Sequence, residues 1–172
     1  ADDAFLVHAN RQLRALQLAS YPIKNPRHGG QLRASAIRQA FIEGGFSVQT
    51  IGFYQAEAYE KFDISHQDIA FPTNSKFRLY QGKLIPELSD FMMTDFSTND
   101  KSTFEKVTKS IDSVIDVIIV EQTWFYRLAK RLQAENLFCK NAMIVNSTHN
   151  VESEMKRGIL GIENSTIAQA IA

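Results

Sequence analysis

"DVIIVEQTWFYRLAKRLQAEN" runs from Asp116 to Asn136. Val117 to Val120 form an unbroken apolar run, the pattern of a strand buried on both faces of a parallel sheet. Glu121 and Gln122 break the run. Trp124, Phe125, Leu128 and Leu132 then fall on one side of a helix, and Asn136 suits a left-handed stop. "AMIV", at 142–145, reads as another buried strand. A buried strand, a helix and a second buried strand in this order make one unit of an alternating α/β chain.

The same alternation extends toward the N-terminus. "LRALQLAS" (Leu13 to Ser20) reads as a strand. "YPIKNPRHGG" (Tyr21 to Gly30) has two prolines and two glycines and reads as a loop. From Gln31 the apolar residues Leu32, Ile37, Ala40 and Phe41 lie near one helical face, and Gly44-Gly45 end that helix. "FSVQTIGFY" is the next strand. The stretch from Gln55 to Asp100 is less regular, with a short strand in "DIAFP" and a helix after Pro86 in "KLIPELSDFMMTDF". "KSTFEKVTKSI" is a further helix. Past "AMIV", a helix from about Val151 to Ile159 buries Val151, Met155 and Ile159, and "ENSTIAQAIA" begins one more. The expected fold class is α/β: a doubly wound, Rossmann-like parallel sheet with helices on both faces and right-handed crossovers.

The chain has 172 residues, so a single domain spanning 1–172 is expected, and 44% hydrophobic residues suffice for a core. Nineteen basic and nineteen acidic residues cancel, which gives no electrostatic case for nucleic acid as partner. The one cysteine excludes an internal disulfide and suits a reducing compartment. The strongest apolar stretch, Val114 to Val120, contains an aspartate and is far shorter than the roughly 20 residues of a membrane helix. The N-terminus lacks the basic-then-apolar order of a signal peptide. A membrane would be met only at its surface.

In sheets of this kind ligands gather at the carboxyl ends of the strands. Three loops belong there: Tyr21 to Gly30, Glu121 to Thr123, and Asn146 to Glu152. They carry Arg27, His28, Gly29, Gly30, Glu121, Gln122, His149, Asn150 and Glu152. Gly29-Gly30 precedes a helix, where exposed N–H groups and the helix dipole favour an anion such as phosphate. The pair reads equally as a tight turn. It lacks both the dinucleotide spacing and the G-K-[ST] of a phosphate loop. Arg27 and Arg33 flank it, for phosphate or for solvent. Glu121 and Gln122 suit sugar hydroxyls, which need donors and acceptors. Alternatively, Glu121 meets a helix amino terminus and Gln122 meets water. Asn150 caps the helix that follows, with Glu152 and Glu154 at its start and Lys156 and Arg157 at its end. His149 precedes the cap and has no capping duty; it reads as a partly buried histidine or a working one.

No metal-ligand spacing, H-E-x-x-H or G-x-S-x-G elbow is present, and no metal is expected. Cys139 reads as packing rather than as a nucleophile. Trp124, Phe125 and Tyr126 cannot all face inward, which leaves one ring able to stack on a sugar.

Taken in order, "PRHGGQLRASAIRQAFIEGGFSVQTIG", "DVIIVEQTWFYRLAKRL" and "AMIVNSTHNVESEMKRGIL" resemble the N-terminal lobe of retaining, nucleotide-sugar-dependent glycosyltransferases. These are the two-lobed, B-fold enzymes of the large fourth family, which includes many bacterial surface-polysaccharide enzymes. The resemblance covers most of Leu13 to Leu160, more weakly across Gln55 to Asp100. It implies that Gly29 and Gly30 lie near the donor diphosphate and reacting sugar. It implies that His149 helps position that sugar as the catalytic residue, with Asn150 beside it. Arg27, Glu121, Gln122 and Glu152 fall on the acceptor side. It further implies a C-terminal donor-binding lobe outside this chain, so the chain is expected to be a fragment of a longer cytoplasmic enzyme, inactive alone, with at most peripheral contact at the inner face of the membrane. The implied partners are a nucleoside-diphosphate sugar and a glycan, lipid-linked or protein acceptor; no cofactor beyond the substrates is implied. The alternative is a non-catalytic domain that binds a phosphate- or sugar-bearing ligand or a protein partner. A nicotinamide-dependent oxidoreductase fits less well: the glycine spacing is absent, and "GFYQ" stands where the second strand would end in an acidic residue.

Overall fold

β1 (Arg14–Ala19) occupies the centre of the sheet, and its two faces show how the layers form. Leu16 and Leu18 pack on one face, while Ala15 packs on the other; all three are fully buried. The computed structural model describes residues 11–71, 79–80, 83–84 and 89–147. β2 (Ser47–Gln55) pairs with one edge of β1 and β6 (Val117–Val120) with the other, both parallel. β3 (Ile69–Phe71) extends the sheet beyond β2, and β7 (Met143–Asn146) extends it beyond β6. The result is a five-stranded, all-parallel sheet in the order β3-β2-β1-β6-β7. β4 (Leu79–Tyr80) and β5 (Lys83–Leu84) form a separate antiparallel pair.

The helices divide between the faces. α1 (Gly29–Glu43) covers Ala15, Val117 and Ile119 with Ile37 and Phe41. The opposite face is covered by α2 (Ser89–Asn99), α3 (Lys101–Ser110) and α4 (Tyr126–Glu135). There Leu16, Leu18, Ile118 and Val120 meet Met92, Met93, Phe104, Val107, Phe125, Leu128 and Leu132. Phe53 stacks against Phe125 and Phe71, with centroids 5.2 and 5.9 Å away. Each fully buried side chain of this size contributes about 1.5–3 kcal/mol. The fold is the expected doubly wound, Rossmann-like α/β arrangement.

Several local expectations differ from the structure. α1 starts at Gly29, not Gln31, so Gly29 and Gly30 lie in its first turn rather than in the loop. Leu32 is 55% exposed and Ala40 is exposed too, whereas Gln31 and Ala34 turn inward. Gln31 tolerates burial because its amide donates to Pro22 O at 2.7 Å and accepts from Arg27 N–H at 2.8 Å. α1 ends as expected at Gly44-Gly45. Gly45 has φ +90°, and Phe46 N–H returns to Phe41 O at 3.0 Å. That left-handed step is open to glycine and strained for other residues.

Asn136 is extended (φ −108°, ψ 118°), not left-handed. It stops α4 another way, because its side-chain oxygen accepts Phe138 N–H at 2.9 Å and closes a turn. The first residues of the expected helix, Thr123–Phe125, form a 3₁₀ turn. "AMIV" is not buried on both faces. β7 is the outer strand of the described sheet, so Met143 is 63% exposed and Ile144 and Val145 are half-buried. Cys139 packs fully buried, and burial pushes its thiol up to about 11. Among the described residues no helix is long and apolar enough to cross a membrane. The helices expected from Val151 onward lie outside the described residues.

Candidate functional site

The strand order changes direction between β1 and β6, because β2 and β3 are added on one side of β1 and β6 and β7 on the other. A crevice at the carboxyl ends of the strands is the usual ligand position at such a reversal. The two tips are tied together. Glu121 N–H donates to Leu18 O at 3.1 Å, and Ser20 N–H donates to Gln122 Oε1 at 3.1 Å. The Tyr21 hydroxyl is hydrogen-bonded to the same Gln122 side chain. Ser147 N–H reaches Val120 O at 2.9 Å and brings the β7 tip to the same edge. Gln122 is therefore a latch between two loops rather than a solvated amide.

At the start of α1, His28 is the N-cap, with extended backbone at φ −128° and ψ 164°. Its Nδ1 accepts Gln31 N–H at 3.4 Å and its carbonyl accepts Leu32 N–H at 3.0 Å. The N–H groups of Gly29 and Gly30 meet no acceptor among the described residues. The two glycines differ in their surroundings. A Cβ on Gly30 would lie 2.7 Å from Tyr21 Oη, whereas a Cβ on Gly29 would meet nothing within 4 Å. Gly30 is needed for packing; Gly29 leaves open space beside two backbone donors. The Tyr21 ring also meets His28 edge-on at 5.0 Å. Burial pushes the Tyr21 hydroxyl up to about 12, against the opposing effect of Gln122.

Glu121 meets neither a helix amino terminus nor solvent. It is fully buried and accepts a hydrogen bond from Gln17 Nε2. Gln17 Nε2 also donates to Ala34 O at 2.9 Å, and Gln17 Oε1 accepts from the Thr50 hydroxyl at 2.9 Å. Glu121 Oε2 has no partner among the described residues. Burial raises the pKa of this carboxyl, while the Gln17 hydrogen bond and the charge of Arg33 oppose the rise.

Arg27 is neither a free phosphate ligand nor simply solvated. Its guanidinium donates to the buried Asp63 at 2.9 Å and lies over the Phe62 ring, 5.4 Å from the centroid. Asn25 supports the same junction by donating to Phe62 O at 2.9 Å. Arg33 instead reaches the β7 tip, donating to Ser147 Oγ at 3.2 Å. The structure thus brings Gly29, Gly30, Glu121 and Gln122 to one edge and ties Arg27 into the loop beneath them. His149, Asn150 and Glu152 lie outside the described residues.

Sequence reasoning missed Gln17, Tyr21, Asp63 and Asp68. Gln17 had a signal: it is the one polar residue inside "ALQLA", at 15–19. Gly52 signalled Asp68, since glycine within a strand marks close backbone approach. Gly52 N–H donates to Asp68 Oδ1 at 2.8 Å, and a Cβ there would lie 2.6 Å from Tyr21 O. Among the described residues no three His, Cys, Asp or Glu side chains gather as a metal site. No protein-family model, curated protein or solved structure matches the chain.

Proposed function

We propose that this chain is the acceptor-side lobe of a retaining glycosyltransferase that uses a nucleoside-diphosphate sugar. One observation supports the reading most: Gly29 has open space beside it, and the N–H groups of Gly29 and Gly30 point from the start of α1 without an acceptor among the described residues. Such donors with a helix dipole suit a diphosphate that gains charge as it leaves. In the proposed reaction the bond between the anomeric carbon and the phosphate oxygen breaks. A bond from the acceptor oxygen to the same carbon forms on the same face. The departing phosphate oxygen takes the acceptor's proton. His149 hydrogen-bonds the donor sugar with Asn150 beside it, and a second lobe closes the cleft and excludes water. The acceptor is a glycan, lipid-linked or protein hydroxyl, and the setting is the cytoplasm at the inner face of the membrane.

The test is transfer from labelled UDP-, GDP- and ADP-sugars by the full-length gene product, with His149→Ala beside the wild type. Loss of about 10²-fold or more in kcat, with the fold unchanged, agrees with the proposed role. Equal turnover by the variant removes His149 from the chemistry.

The second reading is a non-catalytic ligand-binding domain. The observation in its favour is that Glu121 and Gln122 are already bonded to Gln17, Ser20 and Tyr21. Ligand binding by the full-length product without transfer or hydrolysis selects this reading.

A further inference from the structure

A cleft of ≈ 490 Å³ opens beside the carboxyl ends of β6 and β7, between α2 and the turn that leads into α4. Arg27, Gly29, Gly30, Glu121 and Gln122 do not line it, whereas Trp124 and Tyr126, two of the three rings read as able to stack on a sugar, do. Its described walls carry three rings, from Phe91, Trp124 and Tyr126, and, besides three threonines, the polar side chains of Asp95, Arg127 and Asn146. Phe91 and Trp124 meet edge-on with centroids 5.3 Å apart, and Tyr126 is 47% exposed.

The polar atoms have unused capacity of a particular kind. Asp95 Oδ1 accepts from Arg127 and from Asn99, each at 2.9 Å, and Asp95 Oδ2 takes no bond among the described residues. The Trp124 indole N–H is buried without an acceptor among them, so Trp124 offers the cleft its ring rather than its N–H. The hydroxyls of Thr94 and Thr98 donate to the carbonyls of Phe91 and Thr94, both at 2.7 Å, so only their acceptor capacity remains.

We propose that this cleft binds one pyranose ring of a glycan. A sugar presents an apolar C–H face, which suits the aromatic walls, and a rim of hydroxyls that both donate and accept. Asp95 Oδ2 accepts from one hydroxyl, and Arg127 donates to another. Asp95 and Arg127 neutralise each other, which favours a neutral sugar over a phosphate or a carboxylate. The volume lies within the range of small-ligand sites. For its role, holding the acceptor, the cleft rests on the transferase reading; for its ligand it rests on these side chains alone.

Trp124 is the only tryptophan in the chain, so intrinsic emission reports on this cleft directly. The 172-residue chain is titrated with methyl glycosides of glucose, galactose, mannose and N-acetylglucosamine, and with maltose and cellobiose. The expected result is a saturable change with at least one sugar, at a Kd of about 1–10 mM. Asp95→Asn and Tyr126→Ala each weaken it by about tenfold or more while far-UV circular dichroism is unchanged. Three outcomes overturn the proposal: no saturable response to any sugar up to about 100 mM, a response unaltered in both variants, or a response only to the apolar dye anilinonaphthalene sulfonate. Sugar binding without transfer removes the transferase reading and keeps the cleft. Transfer without sugar binding here removes the cleft alone.

Discussion

Alanine at Gly30 and alanine at Gly29 should have opposite effects, although the two positions are adjacent in one helical turn. At Gly30 the new Cβ would stand 2.7 Å from Tyr21 Oη, 3.1 Å from Cζ and 3.3 Å from Cε1. The ring cannot swing freely, because it is buried, packed against His28 and hydrogen-bonded to Gln122. Displacing a buried ring by overpacking costs about 1–3 kcal/mol. Losing the Tyr21–Gln122 hydrogen bond costs about 1 kcal/mol more. Against this, alanine gains about 0.5–1 kcal/mol by restricting the unfolded chain. Gly30→Ala should therefore lose about 1–3 kcal/mol. Gly29→Ala meets nothing within 4 Å and should keep the gain of up to about 1 kcal/mol. Urea unfolding, followed by circular dichroism and by Trp124 emission, separates them. With a slope of about 1–3 kcal/mol per molar, the two midpoints should differ by about 0.3–4 M. Equal midpoints would refute the assigned Tyr21–Gly30 contact and with it the division of labour between the glycines.

Three further outcomes follow from the buried polar groups. Burial holds the Glu121 carboxyl above its ordinary value of 4.5, so the folded chain retains a proton that the unfolded chain releases. The stability linked to this group is full below that ordinary value and is lost as pH rises from it through the folded value. Glu121→Gln removes the loss and keeps an acceptor for Gln17, so the variant should gain on the wild type as pH rises above that ordinary value in urea titrations; a pH-independent difference contradicts this. Arg27→Gln leaves the buried Asp63 without its guanidinium partner and should cost about 1–3 kcal/mol, with Asp63→Asn recovering part of it in the double variant; an additive double variant contradicts the pairing. Cys139 is fully buried, with its thiol pushed up to about 11, and should react with a disulfide reagent at pH 8 only as fast as the chain opens. Rapid labelling in buffer alone would show that it is not packed as described.

The fold was legible wherever burial was set by apolar residues in regular order. Val117 to Val120 are all buried, and Leu16 and Leu18 face opposite to Ala15 as period-two alternation requires. What composition could not convey was sheet position. "AMIV" reads as apolar as "VIIV", yet β7 has a paired neighbour on one side only in the described sheet, and Met143 is exposed. The site was legible at the level of loops and less so at the level of atoms. The strand tips carrying Gly29, Gly30, Glu121 and Gln122 do share one edge. The bonds at that edge depend on partners far away in sequence: Gln17 for Glu121, Ser20 and Tyr21 for Gln122, and Asp63 for Arg27. No local pattern encodes such pairs. The N-cap shows the same limit, because His28 caps α1 with its ring nitrogen, a duty that serine, threonine, aspartate and asparagine usually announce.

The central claim is that a nucleotide ligand meets the carboxyl edge of the sheet, at the start of α1 and between the β1 and β6 tips. Amide chemical shifts of the isotopically labelled full-length gene product, whose second lobe would hold the donor, titrated with uridine, guanosine and adenosine diphosphates, test this most directly. The account predicts saturable shifts for Gly29 and Gly30 with at least one nucleotide, smaller shifts at Gln122 and Ser147, and none at Leu13, Asp116 or Met143 at the opposite edge. Shifts confined to that opposite edge, or none at Gly29 and Gly30 with all three nucleotides, would contradict it.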